Sequence, residues 1–272
     1  MIESIKLRKS VRTYLKKPLS KALEDTVKKI LIEAENKKGP FGNQARFFYY
    51  STNKEFDDEA KKIGTYGFVK NAPSFFGGVI KNTFSGIIDF GYLFEHIILE
   101  LTKHELGTVW LGGTFSRAAF AHKVNENEVI PAISPVGYPL EKLSLMEKAI
   151  RMTIKADRRK PIEELFFVND FNHPIDENHP YIKYLELVQL GPSASNKQPW
   201  RMVVEDKKIH LYLQRTPKYA ESIPFVMQAL DMGIAICHFE AGLIENHMKY
   251  MVTNLFMSNI DDKEYIISFI LE

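Results

Sequence analysis

Three short segments gather residue types that can hold an anion or the edge of a flat heterocycle. The first is Arg8-Lys9-Ser10-Val11-Arg12. In an extended chain residues i, i+2 and i+4 share a face, so Arg8, Ser10 and Arg12 would point the same way, two guanidinium forks flanking a hydroxyl. Arginine gives paired, charge-assisted hydrogen bonds and serine adds a further donor, which suits a phosphate. The same run also reads as a solvated basic terminus.

The second segment is Gly191-Pro192-Ser193-Ala194-Ser195-Asn196-Lys197-Gln198-Pro199-Trp200. It packs hydroxyls, two side-chain amides and a tryptophan into ten residues. Amides both donate and accept, so Asn196 and Gln198 could read an alternating heterocycle edge, while Pro199 keeps the chain extended. An ordinary loop anchored in the core by Trp200 is the alternative, and Trp200 itself reads as structural. The third segment, Glu105 through Gly113, ends in Gly112-Gly113. Paired glycines let backbone N–H groups approach a flat ligand closely, although most such pairs are plain turns.

Taken together, these segments resemble the nitroreductase family of FMN flavoproteins. Arg-Lys-Ser-Val-Arg is similar to that family's N-terminal flavin motif, and Pro-Ser-x-x-Asn-x-Gln-Pro-Trp is similar to its second flavin segment. Leu-Gly-Thr-Val-Trp-Leu-Gly-Gly, followed by Pro-Val-Gly-Tyr-Pro, resembles its late helix exit and final strand. The order is unusual, because the second motif lies in the second half of the chain. At the expected early position stands Gly39-Pro40-Phe41-Gly42-Asn43-Gln44-Ala45-Arg46-Phe47, which keeps Gly-Pro but lacks the serines and Pro-Trp. Family dimers build each flavin site from both subunits. The resemblance therefore implies a fused pseudo-dimer, with one surviving site between half one (1–160) and a diverged half two (161–272).

The resemblance implies an α+β fold of two similar halves, each a small mixed sheet flanked by helices, related by a pseudo-two-fold axis. It implies FMN as cofactor and NAD(P)H as co-substrate, with ping-pong hydride transfer to a nitroaromatic or quinone. Flavin binding or ligand sequestration without turnover is the rival. On this reading Arg8, Lys9, Ser10 and Arg12 form the phosphate arm, with Arg12 nearer the ring. Pro192, Ser193, Ala194, Ser195, Asn196 and Gln198 form the facing loop, and Gly112 and Gly113 offer backbone N–H groups. Arg159, with Arg158 beside it, is the match for a basic residue that reaches the phosphate after the last strand; a charged linker is the other reading of that pair. No side-chain acid or nucleophile is implied as catalytic.

The elements that must position these residues are legible in part. Residues 7–14 alternate and read as extended. Ser20 can cap a helix running to about residue 38, with Leu23, Val27, Ile30, Leu31 and Ala34 on one face and Gly39-Pro40 ending it. Residues 47–50 and 74–80 read as buried strands, and 89–103 as a helix ended by Gly107. Residues 130–136 read as a strand and 141–160 as a charged connection. In the second half a helix follows Pro180, strands follow at 202–205 and 209–213, and a longer helix carries Asp231-Met232-Gly233. Two echoes suggest duplication: Gly39-Pro40 with Gly191-Pro192 (191 − 39 = 152) and Asp89-Phe90-Gly91 with Asp231-Met232-Gly233 (231 − 89 = 142).

Composition narrows the classes. The 272 residues are 45% hydrophobic and 26% charged with a net charge of +2, which argues against a nucleic-acid binder. With one cysteine, Cys237, no intramolecular disulfide can form, and the eight histidines show no zinc-type spacing. The start of the chain lacks the apolar core of a signal peptide, and the stretch 87–101 is broken by Asp89, Glu95, His96 and Glu100. A soluble, cytoplasmic protein, monomeric because its repeat buries its own interface, is the expectation.

Overall fold

The computed structural model describes residues 1–52, 63–65, 67–140, 149, 152–153, 155 and 158–272. Most of the charged connection at 141–160 lies outside them. The first sheet joins β1 (Arg46–Ser51), β2 (Ser74–Lys81), β5 (Ile133–Gly137) and β3 (Gly107–Thr108), with β4 (Glu128–Val129) beside β2. All its named pairs are antiparallel; the N-terminal arm adds parallel bridges from Ser10 to Thr108 and from Thr13 to Lys70. The second sheet runs β6 (Phe166–Val168), β7 (Trp200–Glu205), β8 (Lys208–Gln214), β10 (Lys263–Leu271), β9 (Tyr250–Thr253). There β6 is parallel to β7 and the other pairs are antiparallel.

Helices occupy the space between and around the sheets. In α2 (Lys21–Glu35), Ser20 caps the first turn by accepting from Leu23 N at 3.3 Å, and Val27, Leu31 and Ala34 turn inward. It ends three residues before the expected point, with Asn36 as its C-cap. The long helix α3 (Phe84–Lys103) starts five residues earlier than the sequence suggests, because Thr83 accepts from Gly86 N and supplies a cap there. Its partner α6 (Gln228–Glu245) is buried from Gln228 through Phe239 without a break, so it is a helix of the interior and not of the surface. Short helices α4 (Ile162–Leu165) and α5 (Ile182–Gln189) flank the second sheet.

A helix α1 (Ile2–Leu7), which the sequence reading does not place, precedes the extended segment and overlaps it only at Leu7. Ile5 is buried beside Leu99, Leu187 and Cys237, and the terminal ammonium pairs with Glu245 at 2.8 Å. The chain becomes extended only after Arg8.

The two halves meet at α3 and α6, and the meeting is isologous. A Cβ on Gly91 would overlap the carbonyl oxygen of Leu230, and a Cβ on Gly233 would overlap that of Ile88. These contacts interchange under the 142-residue offset of the Asp-x-Gly echo (233 − 91 and 230 − 88), as a two-fold axis requires. The flanking aspartates repeat the relation. Asp89 accepts from Phe41 N, Asn43 N and Asn43 Nδ2 in the loop after Gly39-Pro40. Asp231 accepts from Ala194 N in the loop after Gly191-Pro192. One hydrophobic core runs through both halves. No helix among the described residues is long and apolar enough to cross a membrane.

Candidate functional site

A cavity of about 370 Å³ lies between the halves, within the size range of small-molecule and cofactor sites. Half one contributes Ser10, Arg12, Gly112 and Gly113 to its wall, and half two contributes Pro192, Ser193, Ala194 and Ser195. The chain thus brings its first and second motifs, 180 residues apart (192 − 12), to opposite sides of one space.

The backbone fixes the first wall. Val11 N donates to Thr108 O at 2.9 Å, and Lys70 N donates to Arg12 O at 2.8 Å, so the arm is held like an extra strand beside β3. Side chains at Gly107 are excluded, because a Cβ there would crowd Val11. Beyond β3, Leu111 and Ile133 exchange backbone hydrogen bonds, and the chain then turns at Gly112. The guanidinium of Arg117 donates to Gly112 O at 2.6 Å and to Ile130 O and Pro131 O, which fixes that turn. Burial lowers the Arg117 pKa from its ordinary value. A Cβ on Gly113 would meet only Ile223, at 3.8 Å. The backbone there is open to a ligand.

The facing loop is held by its own polar groups. Ser193 Oγ accepts from Gln198 N at 2.9 Å, and Ser195, Asn196 and Gln198 adopt left-handed φ of 50°, 55° and 48°. The amides do not face the cavity. Asn196 Nδ2 donates to Lys155 O and Arg158 O, and Gln198 Oε1 accepts from Lys160 N at 2.9 Å. Arg159 donates to Leu190 O and Asn196 Oδ1. The sequence reading placed Asn196, Gln198, Arg158 and Arg159 against a ligand; none of the four lines the cavity. Asn196, Gln198 and Arg159 clamp the segment around residue 158 to the base of the loop, and Arg158 is exposed. Trp200 is fully buried, the core anchor it was expected to be.

Arg8 and Lys9 also stand apart from the cavity wall. Lys9 is exposed. The Nε of Arg8 lies 3.8 Å from Glu95 Oε1, with both side chains buried. Arg8, the C-cap of α1, is turned to Glu95, whereas Ser10 and Arg12 line the cavity. Glu95 also accepts from Trp110 Nε1 at 2.7 Å and lies 3.0 Å from His238 Nε2. Burial alone would raise the Glu95 carboxyl, but the hydrogen bond and charge of His238, then Arg8 and Trp110, outweigh it and hold it below the usual range.

Several wall residues carry no motif. Tyr219, Ala220, Ile223 and Met227 come from the connection between β8 and α6, and Tyr219 Oη lies 3.0 Å from Ser195 Oγ. Their spacing is that of a loop, so nothing local marks them. Asp231 also lines the cavity. It stood out in the sequence as part of a repeat, and its place in the site became legible only through the fold. Burial pushes its carboxyl up to about 8, against a partial opposing effect from Ala194 N–H.

With this geometry in view, comparisons with known proteins converge. The family model described as "Putative TM nitroreductase" matches residues 1–243. The chain belongs to the nitroreductase family. A solved structure described as a putative nitroreductase from Thermotoga maritima MSB8 is similar along 99% of this chain and 92% of its own, at 19% identity and a TM-score of 0.60. That likeness shows the nitroreductase fold along the chain. Two shorter nitroreductase-family structures are also similar. One from Clostridium novyi NT has 24% identity, covers 51% of this chain and 84% of its own, and has a TM-score of 0.40. An FMN-dependent nitroreductase from Clostridium difficile R20291 has 19% identity, covers 53% and 90%, and has a TM-score of 0.42. No curated protein matches the sequence.

Proposed function

We propose that this nitroreductase-family chain is an FMN-dependent oxidoreductase with one flavin site, set between residues 1–160 and 161–272. The observation that carries the reading is the shared cavity: Ser10 and Arg12 on one side, Pro192 to Ser195 on the other. The donor set suits FMN. A hydroxyl and a guanidinium can take an anionic group, apolar residues such as Val109, Leu111 and Ile234 can flank a flat ring, and the backbone at Gly113 is open to a ring edge.

When bound, the flavin supplies the hydride chemistry between NAD(P)H and an electron-poor acceptor such as a nitroaromatic or quinone. The chain's own residues bind and orient. Ser10 and Arg12 hold the anionic end, and the charge of Arg12 favours any negative charge that develops beside it. Gly112 and Gly113 offer backbone groups whose direction Arg117 fixes. The apolar connection bearing Tyr219 and Ile223 shields the cavity from water. Asn196, Gln198 and Arg159 keep the second-half loop in place, and Glu95 does the same for Arg8 at the root of the arm. The chain supplies both halves of the site and works as a monomer in the cytoplasm.

The test is direct. The purified protein should be yellow, and its visible flavin band should bleach anaerobically with NADH or NADPH and return on adding a quinone. A yellow protein that neither nucleotide bleaches would support the rival, flavin binding without turnover. Failure to bind FMN would refute both.

A further inference from the structure

The two aspartates at equivalent places in the halves differ in one respect. Asp89 uses both oxygens, receiving Phe41 N at 2.9 Å on one and Asn43 N and Nδ2 at 2.8 Å on the other. Asp231 receives only Ala194 N, at 2.9 Å on Oδ1. Its Oδ2 is buried and has no hydrogen-bond partner among the described residues. The reason lies in the loop. At the 152-residue offset the place of Asn43, which closes the ring around Asp89, is taken by Ser195, whose Oγ lies 3.0 Å from Tyr219 Oη, and the amide of the neighbouring Asn196 is turned away to Lys155 and Arg158. One half therefore completes its carboxylate with its own chain. The other leaves an oxygen unmatched on a residue that lines the cavity and is only 2% exposed.

A buried, unmatched polar oxygen costs stability of the order of a lost hydrogen bond or more. It persists where a ligand completes it. We propose that Asp231, in its neutral carboxylic-acid form, is the hydrogen-bond donor that receives an acceptor atom of the bound ligand, a ring nitrogen or carbonyl oxygen of the flavin. This rests on the flavin reading above and adds a residue that no motif in that reading contains. A neutral acid serves here because Oδ1 accepts from Ala194 while an Oδ2–H donates into the site, the same polarity as an asparagine in that place.

The surroundings agree with a neutral group. The loop offers Ser193, Ala194 and Ser195, none of them titratable near neutrality. Tyr219 faces Asp231 from the β8–α6 connection, with the Lys197 ammonium 5.8 Å from its ring. Asp89, on α3, is engaged by its own loop. Arg12 is the cationic side chain on the cavity wall among the described residues. Among the described residues no cation is hydrogen-bonded to Asp231 to hold it ionised, and burial raises its carboxyl to about 8.

The experiment is the FMN dissociation constant, from flavin fluorescence quenching, between pH 6.5 and pH 9 for the wild-type protein and Asp231→Asn. Asparagine accepts from Ala194 and donates to the ligand at every pH, so it also corrects for the titration of FMN itself. The wild-type dissociation constant should rise about tenfold from pH 7 to pH 9 as the acid ionises. That of D231N should follow FMN's own titration alone and stay within about threefold of wild type at pH 7. FMN binding with parallel profiles in the two proteins would overturn this proposal and leave the flavin reading standing. A wild-type profile that strengthens with pH would show that the ionised form binds and would likewise overturn it. No FMN binding by wild type at pH 6.5 would refute the flavin reading and this proposal with it.

Discussion

Glu95 on α3 and His238 on α6 meet at 3.0 Å between Oε1 and Nε2, both side chains fully buried, and the contact joins the two halves at the centre of the molecule. His238 Nδ1 lies 2.8 Å from Leu187 O, which can only accept, so this ring nitrogen carries a hydrogen. The carboxylate is shared with Trp110, a residue of the cavity wall, and with Arg8 at the root of the arm. One buried charge thus sets the position of elements from both sides of the site.

Removing that charge takes a buried carboxylate away from Arg8, His238 and Trp110 together. Glu95→Gln should destabilise the protein by about 3–5 kcal/mol, the usual cost of breaking a buried pair from one side. Urea denaturation followed by Trp fluorescence would measure it. The folded carboxyl lies below its unfolded value, so its contribution is present at neutral pH and fades as pH falls through the folded value. E95Q should therefore lose less stability than wild type on acidification. Equal acid sensitivity would remove Glu95 from this role.

Arg12, not Arg8, should carry the affinity for an anionic cofactor. Arg12→Ala combined with Ser10→Ala removes charge-assisted bonds worth about 1.5–3 kcal/mol each, so FMN affinity should fall at least tenfold in equilibrium titration. Arg8→Ala should chiefly lower the melting temperature, because it takes one cationic partner from the buried Glu95. A larger affinity loss in R8A than in the S10A/R12A protein would reverse the assignment.

Gly91 and Gly233 should tolerate no side chain. At either position a Cβ would overlap the backbone of the other helix, which cannot move as a flexible side chain could. Gly233→Ala should cost about 3 kcal/mol or more, the upper end for overpacking, seen as a lower thermal midpoint. A neutral substitution would mean the helices do not cross this closely.

Asp231 gives stability an unusual pH slope. Its folded carboxyl, pushed up to about 8, stands above the unfolded value of about 3.9. Between those limits the folded state binds more protons, so stability declines as pH rises from about 4 to 8 and levels off above. Relative to D231N, ligand-free wild type should lose about 1 kcal/mol per pH unit across that window. Parallel thermal midpoints for the two proteins from pH 5 to 8 would contradict it.

Much of this architecture was legible in the residues, and the gaps have physical causes. Asp89-Phe90-Gly91 and Asp231-Met232-Gly233 marked the helix crossing because close backbone approach demands glycine. Ser20 marked the start of α2 because a cap must be a short polar side chain. The N-terminal helix was missed: Ile2 and Ile5 carry too little apolar periodicity in six residues, and packing against α3 and α6 stabilises it. The sequence reading placed no element after the helix bearing Asp231, although β9 and β10 follow; Ile266, Ile267 and Phe269 of β10 are buried by their place in the second sheet. In the site, Ser10, Gly112 and Pro192 were found through their motifs. Tyr219 and Arg117 were not, since only the fold brings them to Ser195 and Gly112. Asn196 and Gln198 were assigned to a ligand because an amide's chemistry is visible in sequence while its direction is not.

The central claim is a single flavin site made from both halves of one chain. The opposite pairing would use the Gly39–Phe47 loop, where Asp89 is fully engaged and Phe41 packs against the core. FMN released by denaturation, measured against protein after saturation and gel filtration, tests this claim most directly, with light scattering on the same sample. The account predicts one FMN per chain in a particle near the 31.4 kDa of one chain. Two FMN per chain, none, or one FMN bound only in a particle of twice that mass would contradict it.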